Sequence, residues 1–139
     1  MYSMIPQWGS RAINSGDLTL STERDQNGVP RSQGGRPDIG AVEWVNQAPT
    51  ATNDSVTFRG RTFTFNPLAN DFDPAGQSFT LASYSNPGTG KLTRNIDGTF
   101  TYTASSSLPI FFPITTSFSY TIADELGATS TATVIINRR

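Results

Sequence analysis

A chain of 139 residues has room for one domain and a tail. It has no cysteine, so disulfides, thiolate metal sites and cysteine nucleophiles are excluded, and no histidine, so the commonest general base and metal ligand is missing. A formal charge of -1 leaves no electrostatic footprint for nucleic acid and no support for a membrane-surface role.

The start, Met1-Tyr2-Ser3-Met4-Ile5-Pro6, lacks the basic residues and long apolar stretch of a signal peptide. No later run reaches the ~18 apolar residues of a membrane-spanning helix. Residues 1–45 show almost no alternating apolar pattern. Here Asp17, Asp25 and Asp38 stand with Gly16, Gly28 and Gly40 and are expected to hold tight turns. Trp8 and Trp44 are expected to cover apolar edges of this region.

From residue 46 onward, period-2 runs follow one another. Val56 and Phe58 alternate with Ser55, Thr57 and Arg59. Phe63 and Phe65 alternate with Thr62 and Thr64, and Phe79 and Leu81 with Ser78 and Thr80. Leu92 starts a short run, and Phe100 and Tyr102 start another. Phe118, Tyr120 and Ile122 make a sixth, and the series Ala128, Ser130, Ala132, Val134, Ile136 a seventh. Pro67, Pro74, Pro87, Pro109 and Pro113 all fall between runs, where a missing N–H does no harm. Seven strands in this length predict an all-β, immunoglobulin-like sandwich over 46–139, apolar inside and threonine-rich outside.

The turn at Asn95-Ile96-Asp97-Gly98 can be read to the residue. A two-residue turn would put Leu92 on the face opposite Phe100 and Tyr102. A three-residue loop, 96–98, with left-handed Gly98 pairs Leu92 with Tyr102 and is therefore expected. The apolar segment Leu108-Pro109-Ile110-Phe111-Phe112-Pro113-Ile114 is expected to tuck under the sandwich and close the core. The alternative is an exposed patch for a partner.

Several motifs carry a resemblance. Ala48-Pro49-Thr50-Ala51 with Asn53-Asp54, Leu68-Ala69-Asn70-Asp71-Phe72-Asp73, Asp97-Gly98-Thr99-Phe100-Thr101-Tyr102-Thr103 and Ser117-Phe118-Ser119-Tyr120-Thr121-Ile122-Ala123-Asp124 resemble the bacterial cadherin-like, immunoglobulin-like domains repeated in tandem in large surface proteins. Residues 12–44 are similar to the C-terminal end of bacterial right-handed parallel β-helix proteins of the choice-of-anchor type. The matching pieces are Ala12-Ile13-Asn14-Ser15-Gly16-Asp17, Asp25-Gln26-Asn27-Gly28-Val29-Pro30-Arg31 and Asp38-Ile39-Gly40-Ala41-Val42-Glu43. The resemblance implies a β-helix remnant over 1–45, partly ordered, ahead of the sandwich. It also implies that the chain is the tail of a longer protein or a truncated reading frame.

Calcium is the one candidate cofactor. It takes about 6–8 oxygen ligands, and Asp71 and Asp73 put two carboxylates on one loop. Asp54 and Asp124 are expected to converge at the same end of the domain. The resembled family's loop often continues with further Asp residues, whereas here it reads Pro74-Ala75-Gly76-Gln77-Ser78, so any site is expected to be weak. The competing reading makes these aspartates turn residues and caps.

No catalytic residues are assigned. Serine chemistry lacks a histidine, and Gly34-Gly35-Arg36 lacks the Lys-Ser/Thr ending of a phosphate loop. The chain is expected to be a non-catalytic spacer or adhesion module of a secreted or cell-surface bacterial protein. Its expected partners are carbohydrate, a surface protein or neighbouring repeats, without membrane insertion and as a monomer when isolated. The alternative is an accessory domain of a carbohydrate-active β-helix enzyme.

Overall fold

The computed structural model describes residues 5–18, 23–31, 35–40 and 42–139. The chain divides into two units, Met1–Gln47 with Ala75–Gln77, and Ala48–Pro74 with Ser78–Arg139.

The second unit is a two-sheet sandwich of seven strands. These are β1 (Asp54–Phe58), β2 (Thr62–Phe65), β3 (Phe79–Tyr84), β4 (Lys91–Arg94), β5 (Phe100–Thr103), β6 (Ile114–Asp124) and β7 (Thr129–Arg138). One sheet has the order β1-β7-β6-β3 and the other β2-β5-β4. All pairs are antiparallel except β1 with β7, which run parallel from Asp54↔Val134 to Phe58↔Arg138.

The two long strands show why alternation works. Opposite residues in an antiparallel pair share a face. Phe118 faces Val134 and Tyr120 faces Ala132, and all four point into the core. Their outward neighbours are hydroxyls: Thr121 bonds Thr131 at 2.8 Å, and Thr115 donates to Asn137 Oδ1 at 3.0 Å. On the other sheet Thr64 and Thr101 meet at 2.9 Å. Threonine therefore coats both sheets, as the pattern predicted.

Aromatic rings fill the space between the sheets. Phe58 meets Tyr102 edge-on at 5.6 Å, and Phe118 meets Phe100 at 5.7 Å. Such contacts add about 0.5–1.5 kcal/mol each beyond the area they bury. In β3 the register slips between Leu81 and Ser83. The slip puts Tyr84 opposite Tyr120, where its ring reaches Phe100 at 4.9 Å.

The β4–β5 turn has the predicted register. Leu92 pairs with Tyr102, Asn95 N donates to Thr99 O, and Gly98 has φ +86°.

The segment 108–114 differs from expectation. Leu108 packs on the core and Ile114 is buried, but Ile110, Phe111 and Phe112 are 50%, 81% and 53% exposed. The cause is Arg138, whose side chain is buried at the end of β7. Its guanidinium donates to Phe112 O at 2.7 and 3.0 Å and to Pro109 O at 2.8 Å. Phe112 N closes the loop onto Pro109 O at 3.1 Å. The carbonyls turn inward to the cation, so the side chains between them turn out.

In the first unit, buried carboxylates hold turns together. Asp25 accepts from Asn27 N and Val29 N through Oδ1 and from Glu43 N through Oδ2. Asp38 accepts from Asn14 N and Trp44 N, and Glu43 accepts from Asp38 N at 3.1 Å. Burial pushes Asp25 upward, but the N–H groups of Glu43, Val29 and Asn27 and the charge of Arg31 outweigh it and hold the carboxyl below its usual range. Trp8 and Trp44 pack on each other at 4.8 Å.

Candidate functional site

Asp54, Asp71 and Tyr120 form a polar cluster in the sandwich, and local structure explains how they meet. Pro67–Asn70 is a short 3-10 turn, started by Asn66, whose side chain accepts from Leu68 N at 3.1 Å. Pro67 supplies a preset φ at the first position. The turn delivers Asp71 and Phe72 to the entering chain, where Thr50 and Phe72 exchange two backbone hydrogen bonds. Thr52 N then donates to Asp71 Oδ1 at 2.8 Å.

Tyr120 points into this junction from β6. Its hydroxyl lies 3.0 Å from both Asp71 oxygens, 3.1 Å from Pro67 O and 3.2 Å from Thr52 O. A phenol has one proton, so four acceptors share one donor. Burial comes first, and the hydrogen bond and charge of Asp71 second, in raising the Tyr120 hydroxyl far above the ordinary phenol range. Asp54 stands beside them. Burial and then the charge of Asp71 raise its carboxyl, against hydrogen bonds from Asn70 and Tyr120. Its Oδ2 is buried without a hydrogen bond.

Of the four aspartates read from the sequence, two are therefore brought together. Asp73 lies two residues beyond Asp71 and is half-buried. Asp124 caps the β6–β7 turn: its Oδ1 accepts from Leu126 N at 2.9 Å and Ala128 N at 2.8 Å, around Gly127 at φ +87°. Among the described residues no three acidic groups gather closely enough to hold a metal ion. The oxygens around Tyr120 are nonetheless hard donors of the kind calcium takes. The tyrosine hydroxyl is hydrogen-bonded to both oxygens of Asp71 and to the carbonyls of Pro67 and Thr52.

Sequence reasoning took Tyr120 for a core aromatic and missed its hydroxyl. The usable signal was an inward-facing tyrosine, whose O–H needs a partner once buried. Arg138 was missed too, although its parity with Val134 and Ile136 points it inward. No helix among the described residues is long and apolar enough to cross a membrane.

Comparison with known proteins finds a family and a solved structure. The family model described as bacterial Ig domain matches residues 46–137. A solved structure, of a nucleoside hydrolase-related hypothetical protein from Saccharophagus degradans associated with carbohydrate metabolism, aligns at 15% identity and a TM-score of 0.47. The alignment covers 68% of this chain and 26% of that one, about a quarter of its length. No curated protein matches the chain.

Proposed function

Because the chain belongs through residues 46–137 to the bacterial Ig domain family, we propose that it is a non-catalytic spacer module of a secreted or cell-surface bacterial protein. One observation carries this reading. The chain enters the sandwich at one end, where Ala51 N donates to Ser130 Oγ beside the β6–β7 turn, and leaves at the other, where Arg139 N donates to Phe58 O. Entry and exit at opposite ends suit a module that holds its neighbours apart.

Load between those ends falls on the parallel β1–β7 pair, five residue pairs long, in shear. All its hydrogen bonds would then resist together. Tyr120 fastens the entering chain, and Arg138 the far end of β7. Weak calcium binding at Asp54 and Asp71 would add a tie at the entering end. Loop contacts to carbohydrate or a surface protein belong to the same reading.

Single-molecule stretching tests it. The natural chain has no cysteine, so cysteines introduced at 48 and 139 are unique handles. The expected result is one unfolding event, at a force lowered by Val56→Pro in β1. Unfolding at a force that Val56→Pro leaves unchanged would refute the load path.

A further inference from the structure

The three-stranded sheet ends in a cavity of about 370 Å³, lined by Arg61, Gly90, Lys91, Thr103, Ser105 and Ser106. The register explains why these residues meet. Thr103, the last residue of β5, pairs with Thr62 on one side and Lys91 on the other. β2 and β4 therefore lie two strand spacings apart, about 10 Å. One cation comes from each side of this gap, and the chain leaving β5 passes between them. Ala104 N donates to Arg61 O at 2.8 Å, and Arg61 Nη1 donates to Ser105 O at 3.2 Å. The second bond uses one of five guanidinium N–H groups and fixes the side chain at the cavity. Gly90 lets the chain entering β4 lie directly on Tyr102 and Thr103, where a Cβ would collide.

The sandwich supplies this pair of cations with no carboxylate. Residues 48–139 contain six acids, Asp54, Asp71, Asp73, Asp97, Asp124 and Glu125. They stand at the start of β1, between β2 and β3, and in the β4–β5 and β6–β7 turns, all at the opposite end of the strands. The surface leading to the cavity is a strip of hydroxyls. Phe63, Tyr102 and Leu92 pair across the sheet and face the core. The rows on either side of them, Thr62-Thr103-Lys91 and Thr64-Thr101-Thr93, therefore face outward.

We propose that this cavity binds the carboxylate or sulfate of an acidic saccharide, with the sugar hydroxyls laid along the threonine rows. Arg61 offers a planar fork that matches either anion, and Lys91 adds a second charge. The hydroxyls of Thr103, Ser105 and Ser106 both donate and accept, as a sugar hydroxyl requires. The volume falls at the small end of the ~300–1,000 Å³ usual for small-ligand sites, which suits sugar units and not a folded partner. Nucleic acid needs a basic track along many phosphates, and two cations in a chain of net charge -1 give none. The proposal deepens the spacer reading, on which it rests for its setting, by naming the chemistry of one loop contact.

Amide chemical-shift titration of the full chain tests the site, with four probes at low salt: trigalacturonate, a sulfated galactan oligosaccharide, neutral maltotriose and inorganic sulfate. Trigalacturonate or the sulfated oligosaccharide should shift the amides of Arg61, Lys91 and Ser105, and the stronger of the two identifies the anionic group. Maltotriose should shift none of them. Arg61→Gln and Lys91→Gln should each weaken binding roughly tenfold or more, the loss of a charge-assisted hydrogen bond. Arg94→Gln, at the other end of β4, should leave it unchanged. Lys91→Gln is the decisive variant, because Arg61 also holds Ser105 O. Circular dichroism confirms that each variant is folded. No response to either acidic oligosaccharide overturns the proposal, as does equal binding of maltotriose or a Lys91→Gln chain that binds like the wild type. Inorganic sulfate binding as tightly as the oligosaccharides would make this an adventitious ion site only, and also overturns it. Any of these failures with an intact unfolding force would leave the spacer reading standing.

Discussion

Replacing Tyr120 with Phe removes one oxygen and nothing else. Tyr120 is 1% exposed, and its hydroxyl is the donor shared by Pro67 O, Thr52 O and the Asp71 carboxylate. A hydrogen bond to a charged acceptor contributes about 1.5–3 kcal/mol, and a buried carbonyl left without a donor costs about 1–3 kcal/mol. Asp71 keeps Thr52 N as a second donor, which limits the loss. The expected cost is therefore about 2–3 kcal/mol. For a domain of this size 1 kcal/mol shifts Tm by about 4–8 °C, so the drop should be about 8–24 °C. Tyr102→Phe is the internal control. That side chain is equally buried, but its hydroxyl donates to the single neutral acceptor Thr89 O at 2.9 Å, worth about 1 kcal/mol. Urea unfolding followed by near-ultraviolet circular dichroism measures both at unchanged m-value. If Tyr120→Phe costs no more than Tyr102→Phe, the junction is not held by this hydroxyl and the reasoning fails.

Three further outcomes are expected. Gly90 has φ +82°, and a Cβ there would meet Tyr102 Oη at 2.4 Å and Thr103 O at 2.7 Å, so Gly90→Ala should destabilise by more than about 2 kcal/mol in the same urea assay. Asp54 has a raised carboxyl pKa, so its protonated form favours folding below the ordinary carboxylate range, and this is lost as pH rises through the raised value. Asp54→Asn should therefore stabilise at neutral pH and lose that advantage in acid, which urea midpoints across pH will show. Calcium should raise the Tm of the chain above its value in EDTA while magnesium does not, and Asp71→Asn should abolish the rise. Equal midpoints in calcium and EDTA would leave Asp54 and Asp71 as purely structural groups.

The legible part of this fold was its parity. Phe118, Tyr120 and Ile122 against Thr121 and Ser119 declare an inner and an outer face without any knowledge of partners. The β4–β5 register followed because a one-residue slip would have put Leu92 on the wrong face. What stayed hidden depends on neighbours remote in sequence. The Tyr120 hydroxyl bonds residues 49 to 68 positions away, and no local pattern encodes that meeting. The segment 108–114 looked like a core filler by composition alone. Its course is set by a cation 26 to 29 residues later, whose backbone-directed bonds decide which way the apolar side chains point. Asp124 illustrates the limit for metal sites: a carboxylate before Glu125-Leu126-Gly127 serves as a ligand or as a turn cap, and only the hydrogen bonds to Leu126 N and Ala128 N distinguish them.

The place of β7 has a consequence for how the chain acquires its structure. It is the last strand synthesised, yet it lies between β1 and β6 in its sheet. The β6–β7 hairpin can zip locally once both strands exist, whereas β1 must wait for a partner 80 residues downstream. A nascent chain lacking the final ten residues has no pairing site for β1 and cannot close its four-stranded sheet. The sandwich therefore stays open until synthesis passes β7.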